Sequence, residues 1–259
     1  MVMCGAACGC LAAAAGARAA AVADPQGRFR LDMIGSFAAT VRGGETGARI
    51  SAAALPARGV WAVGPTEGLR GELTVHDGRA FVATIAHRRV RVVEDRSAGA
   101  PFLVWAEVPR WRRLPLPPGL ADARALEAHL AALAPAHGLD PEGPFPFLLT
   151  GAPEETTWHV LGGPGSGPGG GPGHGTGHGT GHGTGHGTGH GIGHGAGKER
   201  RVLGAAAMTL VGFYSRRHED VFTHRDEFSH IHFITDDRSL SGHVDALVPG
   251  PGLTLHLPG

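Results

Sequence analysis

Phe228-Ser-His-Ile-His-Phe-Ile-Thr-Asp-Asp-Arg-Ser-Leu-Ser-Gly-His-Val-Asp245 alternates apolar and polar residues on either side of a polar Asp-Asp-Arg-Ser segment, and reads as two short strands joined by a turn. Residues two apart on a strand share a face, so His230 and His232 project together, their backbones roughly 6–7 Å apart. Reversal of the chain at Asp237-Arg238 sets His243 opposite His232 on the returning strand. Three imidazoles then meet on one face of a hairpin. Three histidines with an open fourth position are the usual pattern of catalytic rather than structural zinc. A lone histidine here would read as a solvated or satisfied core residue. Three in register make His230, His232 and His243 the candidate ligands of one Zn2+ per chain.

Working outward, Leu253–Leu257 is a closing strand, Ser215–Glu227 a polar loop, and Val202–Tyr214 a single buried strand. Ahead of these, residues 162–197 are low complexity: a Gly/Pro/Ser run, then four-residue repeats carrying His174, His178, His182, His186, His190 and His194. Such a segment cannot bury a core and is expected as a linker. Its imidazoles would bind metal weakly without any built site.

From Arg28 to Val108 the pattern is strand-like, with expected strands at Phe29–Ile34, Ser36–Val41, Gly59–Gly64, Leu69–Val75, Arg79–Ile85, Arg89–Val93 and Pro101–Val108. Residues Arg49–Leu55 are too short and Ala-rich to assign. His76-Asp77-Gly78 is a hairpin turn. Pro115-Leu-Pro-Pro-Gly119 breaks the sheet. Leu126, Leu130 and Leu133, behind Asp122 as a cap, predict a helix over Ala121–Leu133. Two further strands follow at Pro144–Thr150 and Thr156–Leu161.

The 259 residues give room for one large or two modest domains. Lys+Arg and Asp+Glu number 23 each, so there is no electrostatic case for nucleic acid or an anionic membrane surface. Beyond the first few dozen residues no apolar run reaches the length of a membrane span. All three cysteines, Cys4, Cys8 and Cys10, lie in an Ala-rich apolar leader, Met1–Ala23, so the body has no disulfide framework and no cysteine ligands. The leader ends in small residues before Asp24-Pro25, like a secretory signal, although no Lys or Arg precedes its apolar run. Export to the periplasm or the exterior is expected; a leader that is not a signal would leave the protein cytoplasmic.

The hairpin, His-x-His with a third His eleven residues on, resembles the zinc-binding hairpin of the α-acetolactate decarboxylases. Leu210-Val-Gly-Phe-Tyr214 is similar to the family's preceding strand, and Gly71-Glu-Leu-Thr-Val-His-Asp-Gly-Arg-Ala-Phe81 to its Gly-Glu hairpin, whose carboxylate reaches the metal. The resemblance runs from about Ile34 to the carboxyl end, interrupted by the Gly/His tract. It implies an α+β fold of two β-rich lobes, with mixed or antiparallel sheets, few helices and the metal between them. The division expected is 24–161, a linker at 162–197, and 198–259. It implies Glu72 as a catalytic carboxylate, a small 2-hydroxy-3-oxo acid as substrate, and conversion of 2-acetolactate to acetoin and CO2; a homodimer is left open. The pattern departs in two places. An arginine that the family carries falls at Leu148, with Arg216, Arg217 and Arg225 as candidates to replace it, and a carboxylate near the end has no counterpart in Leu253–Gly259. The alternative expectation is a non-catalytic, exported zinc-binding protein descended from the same fold.

Overall fold

The computed structural model describes residues 18–164 and 196–259. The first part of the chain gives β1 (Arg18–Ala23), β2 (Arg30–Ile34), β3 (Ile50–Ser51), β4 (Val60–Pro65), β5 (Glu72–His76), β6 (Arg79–Ala86), β7 (Arg89–Glu94), β8 (Gly99–Ala100) and β9 (Leu103–Glu107). Seven of them pair in the order β1-β2-β9-β4-β5-β6-β7, while β3 and β8 form a small separate ladder. Asp77 (φ 48°) and Gly78 (φ 79°) take the left-handed backbone that a tight hairpin needs, so β5 and β6 pair from His76↔Arg79 to Glu72↔Ala83. Alternation then sorts the faces. Leu73 and Val75 join an outer apolar cluster, which leaves Glu72 and Thr74 facing inward.

The second sheet is built from β10 (Trp111–Pro115), β11 (Phe145–Gly151), β12 (Glu155–Pro164), β13 (Ala196–Gly204), β14 (Met208–Tyr214), β15 (Ser229–Thr235), β16 (Ser241–Val248) and β17 (Leu253–Pro258). Its order is β10-β17-β11-β14-β15-β16-β12-β13, antiparallel throughout. Helix α1 (Ala123–Leu133) starts where Asp122 accepts a hydrogen bond from Ala125 N, and it buries Leu126 and Leu130. Trp61, Val63 and Val104 of the first sheet share one buried cluster with Phe147, Leu210, Phe213 and Phe233 of the second. The expected class, two β-rich bodies with few helices, is the observed one. No helix among the described residues is long and apolar enough to cross a membrane.

Several local expectations are corrected. Ser36–Val41 is not a strand: Gly35 turns the chain at φ 67°, Ser36 Oγ accepts from Ala39 N, and Ala38–Arg42 form a wide helical turn. Val202–Tyr214 is two strands, with Gly204–Ala207 carrying the chain from the sheet edge at β13 to its interior at β14, which leaves Val202 exposed. Trp111–Pro115 is an edge strand. The sheets also divide near residue 109, ahead of the Gly/His tract, because β10, β11 and β12 pair into the second sheet. The tract joins β12 to β13. Residues 165–195, with the six repeat histidines, lie outside the described residues, as do residues 1–17 of the expected leader; its last six residues are β1.

Candidate metal centre

One row of cross-strand partners carries the site. It runs Leu148↔Val211↔His232↔His243↔His159↔Arg200 across β11, β14, β15, β16, β12 and β13. Directly paired residues share a face, so His232, His243 and His159 project together, and His230, two residues from His232, joins them. The ring centroids of His230, His232 and His243 lie 5.0, 5.0 and 5.4 Å apart. Their ligand nitrogens fall within 4.8 Å of one another, and all three side chains are buried. His230 Nε2 and His232 Nε2 are 3.2 Å apart. Two nitrogens on one tetrahedral zinc stand about 3.3 Å apart at the usual bond length, so this pair fits a shared divalent cation.

Proton counting fixes which nitrogen of His232 faces that position. Ser241 Oγ spends its proton on the Phe233 carbonyl at 2.6 Å, so Thr74 must donate to Ser241 at 3.1 Å. Thr74 Oγ1 then accepts from His232 Nδ1 at 3.2 Å, which leaves the Nε2 lone pair toward His230. Burial lowers His232 to about 3, and pushes His230 and His243 well below the usual imidazole range, reinforced by the neighbouring rings. At neutral pH all three are therefore in the neutral form that ligates metal.

Glu72 reaches the same centre from β5. It is 2% exposed, its Oε1 accepts from Leu161 N at 3.3 Å, and its Oε2 lies 3.7 Å from His232 Nε2. Burial raises its carboxyl well above the ordinary range, against the smaller opposing pull of the Leu161 N–H and Lys198. The site thus sits between the two sheets, with imidazoles from one and a carboxyl group from the other.

No protein-family model matches the sequence, and a search of curated proteins finds no match. Solved structures do. Acetolactate decarboxylase from Bacillus subtilis subspecies spizizenii superposes with TM-score 0.60 at 13% identity, over 87% of this chain and 84% of that one. Alpha-acetolactate decarboxylase from Bacillus subtilis strain 168 gives TM-score 0.58 at 13% identity, over 87% and 82%. A Staphylococcus aureus protein of unknown function, described as similar to alpha-acetolactate decarboxylase, gives 0.56 at 13% identity, over 82% and 78%. The fold is that of the acetolactate decarboxylases.

On this decarboxylase fold the chain carries groups that sequence reading did not single out. His159, buried on β12, sits opposite His243 with ring centroids 4.8 Å apart and Nε2 3.7 Å from Glu72 Oε1. Asp245 Oδ2 lies 3.0 Å from His159 Nδ1, and Lys198 Nζ lies 2.6 Å from Asp245 Oδ1. His224 comes from the 215–228 loop, its ring 5.0 Å from His243 and 4.4 Å from Phe37, and burial lowers it to about 4. The helical turn at Ala38–Arg42 docks that loop through Phe37 N to Val221 O, Ala38 N to Asp220 O, and the Arg42–Asp220 ion pair. Period-two alternation in Thr156–Leu161 could have put His159 opposite in face to Trp158, but nothing local names β16 as its partner. Leu148 stands on the histidine row as an apolar residue. The three loop arginines do not replace a cation there: Arg216 bonds Tyr214 and lies over Phe228, Arg217 pairs with Asp140, and Arg225 with Asp220.

Proposed function

We propose that the protein is a zinc-dependent decarboxylase converting 2-acetolactate, a 2-hydroxy-3-oxo acid, to acetoin and CO2, with His230, His232 and His243 as metal ligands and Glu72 acting on the substrate. The placement of Glu72 carries this reading. Burying a carboxyl group beside neutral imidazoles costs stability, and a site that only stored metal would gain nothing from it. The solved decarboxylases sharing the fold support the choice of substrate class.

In the reaction the bond between C2 and the carboxylate breaks, CO2 leaves, and its electron pair passes into the adjacent carbonyl, giving an enediolate. A proton then goes to C2 to yield acetoin. His230, His232 and His243 would hold a divalent cation, which would supply Lewis-acid stabilisation of the negative charge that develops. Glu72, whose carboxyl burial raises well above the ordinary range, would hold the substrate hydroxyl and deliver the proton to carbon.

The test is acetoin formation from racemic acetolactate by the zinc-loaded chain and by Glu72→Gln. The variant is expected to keep its zinc and to lose roughly 100-fold or more in kcat, the usual range for a lost general acid. Absence of turnover in the parent protein with one zinc bound would overturn the reading in favour of a non-catalytic zinc-binding protein, to which His159 and His224 would contribute further imidazoles.

A further inference from the structure

The histidine row ends in cations. Leu161↔Lys198 and His159↔Arg200 are direct partners across β12 and β13, so Lys198 and Arg200 lie on the face that carries His159 and His243. They differ in where they point. The Lys198 side chain is 13% exposed and folds inward onto Asp245, while the Arg200 side chain is 68% exposed, its Nε 3.6 Å from the same carboxylate. Lys198 is the chain's single lysine.

Two cations therefore share one carboxylate at this edge. Asp245 is divided further, because its Oδ2 also engages His159 Nδ1. An ammonium carries three N–H donors, and Asp245 takes one of Lys198's. Asp245 lies among the atoms that group within 4.8 Å with His159 and His243, so the ammonium stands one residue away from His243, a proposed metal ligand. A compact charge on a flexible stem, held by one partner among the described residues and close to the site, suits an incoming small anion.

We propose that Lys198, with Arg200 at the rim, anchors the carboxylate of the ligand, a small 2-hydroxy or 2-oxo carboxylate whose other oxygens face the histidines. The inference deepens the decarboxylase reading and rests on it for the choice of substrate, but its test needs no turnover.

Binding of 2-hydroxyisobutyrate, which has the hydroxy-acid group and no 3-oxo group to drive loss of CO2, and of acetoin, which lacks the carboxylate, is measured calorimetrically on the zinc-loaded full chain. Lys198→Met is expected to weaken 2-hydroxyisobutyrate roughly 10- to 100-fold, the effect of losing a charge-assisted hydrogen bond, and to leave acetoin within about twofold. Lys198→Arg should restore most of the hydroxy-acid affinity. Equal loss for both probes would make Lys198 a structural counter-ion of Asp245 and overturn the proposal. So would unchanged 2-hydroxyisobutyrate affinity in Lys198→Met, or no binding of that probe by the parent protein. Lys198-dependent binding without acetoin formation from acetolactate would sink the decarboxylase reading alone.

Discussion

Thr74, beside the Leu73 backbone, sets the protonation of His232, although it comes from the opposite sheet. Its hydroxyl closes the chain from the Phe233 carbonyl through Ser241, and so obliges His232 to carry its proton on Nδ1. Outer partners of this kind typically account for a 10–100-fold difference in metal affinity. Thr74→Val keeps the shape and removes the hydroxyl. It should weaken zinc binding by roughly 10- to 100-fold in competition with a chromogenic chelator, and Thr74→Ser should recover it. Undiminished affinity in the valine variant would mean that something else orients the ring. No pattern in the sequence points to Thr74, because the residue it serves lies 158 positions further along the chain.

At the level of strands, the site depends on how closely β12 packs against β16. Gly242 allows it: a Cβ there would fall 2.6 Å from the His159 carbonyl and 2.7 Å from the Trp158 ring. The carbonyl belongs to the backbone that carries His159 and cannot swing aside. Gly242→Ala should therefore lower stability by about 1–3 kcal/mol, the usual cost of overpacking, and reduce Tm in thermal melts, while Gly204→Ala, whose Cβ would meet nothing within 4 Å, leaves it unchanged. Equal melts for the two variants would contradict the packing account. The same ladder marks the limit of sequence reading. The β15–β16 hairpin was legible because alternation and a polar turn are local features, and His232↔His243 is the register they imply. The β12–β16 pairing joins distant segments and shifts register between Thr157 and Trp158, leaving Asp245 between Val244↔Trp158 and Ala246↔Thr157. Alternation cannot reveal that, so no local pattern marks His159 or Asp245 as site residues. Edge strand β10 has no clear alternation in the sequence because Arg112 and Arg113 blunt its apolar pattern, as charges commonly do at sheet edges.

Across the whole molecule, the two sheets hold neutral imidazoles, and this fixes how acid acts. Burial lowers His159, His224, His230, His232 and His243, and to a lesser depth of burial His76, His129, His218 and His256 move the same way. Groups with depressed folded values resist protons that the unfolded chain accepts from 6.5 downward, so their contribution to stability is present above that value and is lost as pH falls. Glu72, Glu127 and Glu227 are raised and act in the opposite sense, but they are outnumbered. The metal-free protein should therefore lose Tm steadily from about pH 7 to about pH 5. Zinc binding to the folded state should behave differently. An exposed histidine site loses metal once pH drops below about 6.5, because protons compete for the ligand nitrogens. With His232 at about 3, protons do not compete for it until far lower pH, so the rise in Tm on adding zinc should persist at about pH 5. Melts of metal-free and zinc-loaded protein at the two pH values separate these effects. If the zinc increment vanishes at about pH 5, the imidazoles titrate in their ordinary range, and burial between the sheets is not what keeps them ready to bind.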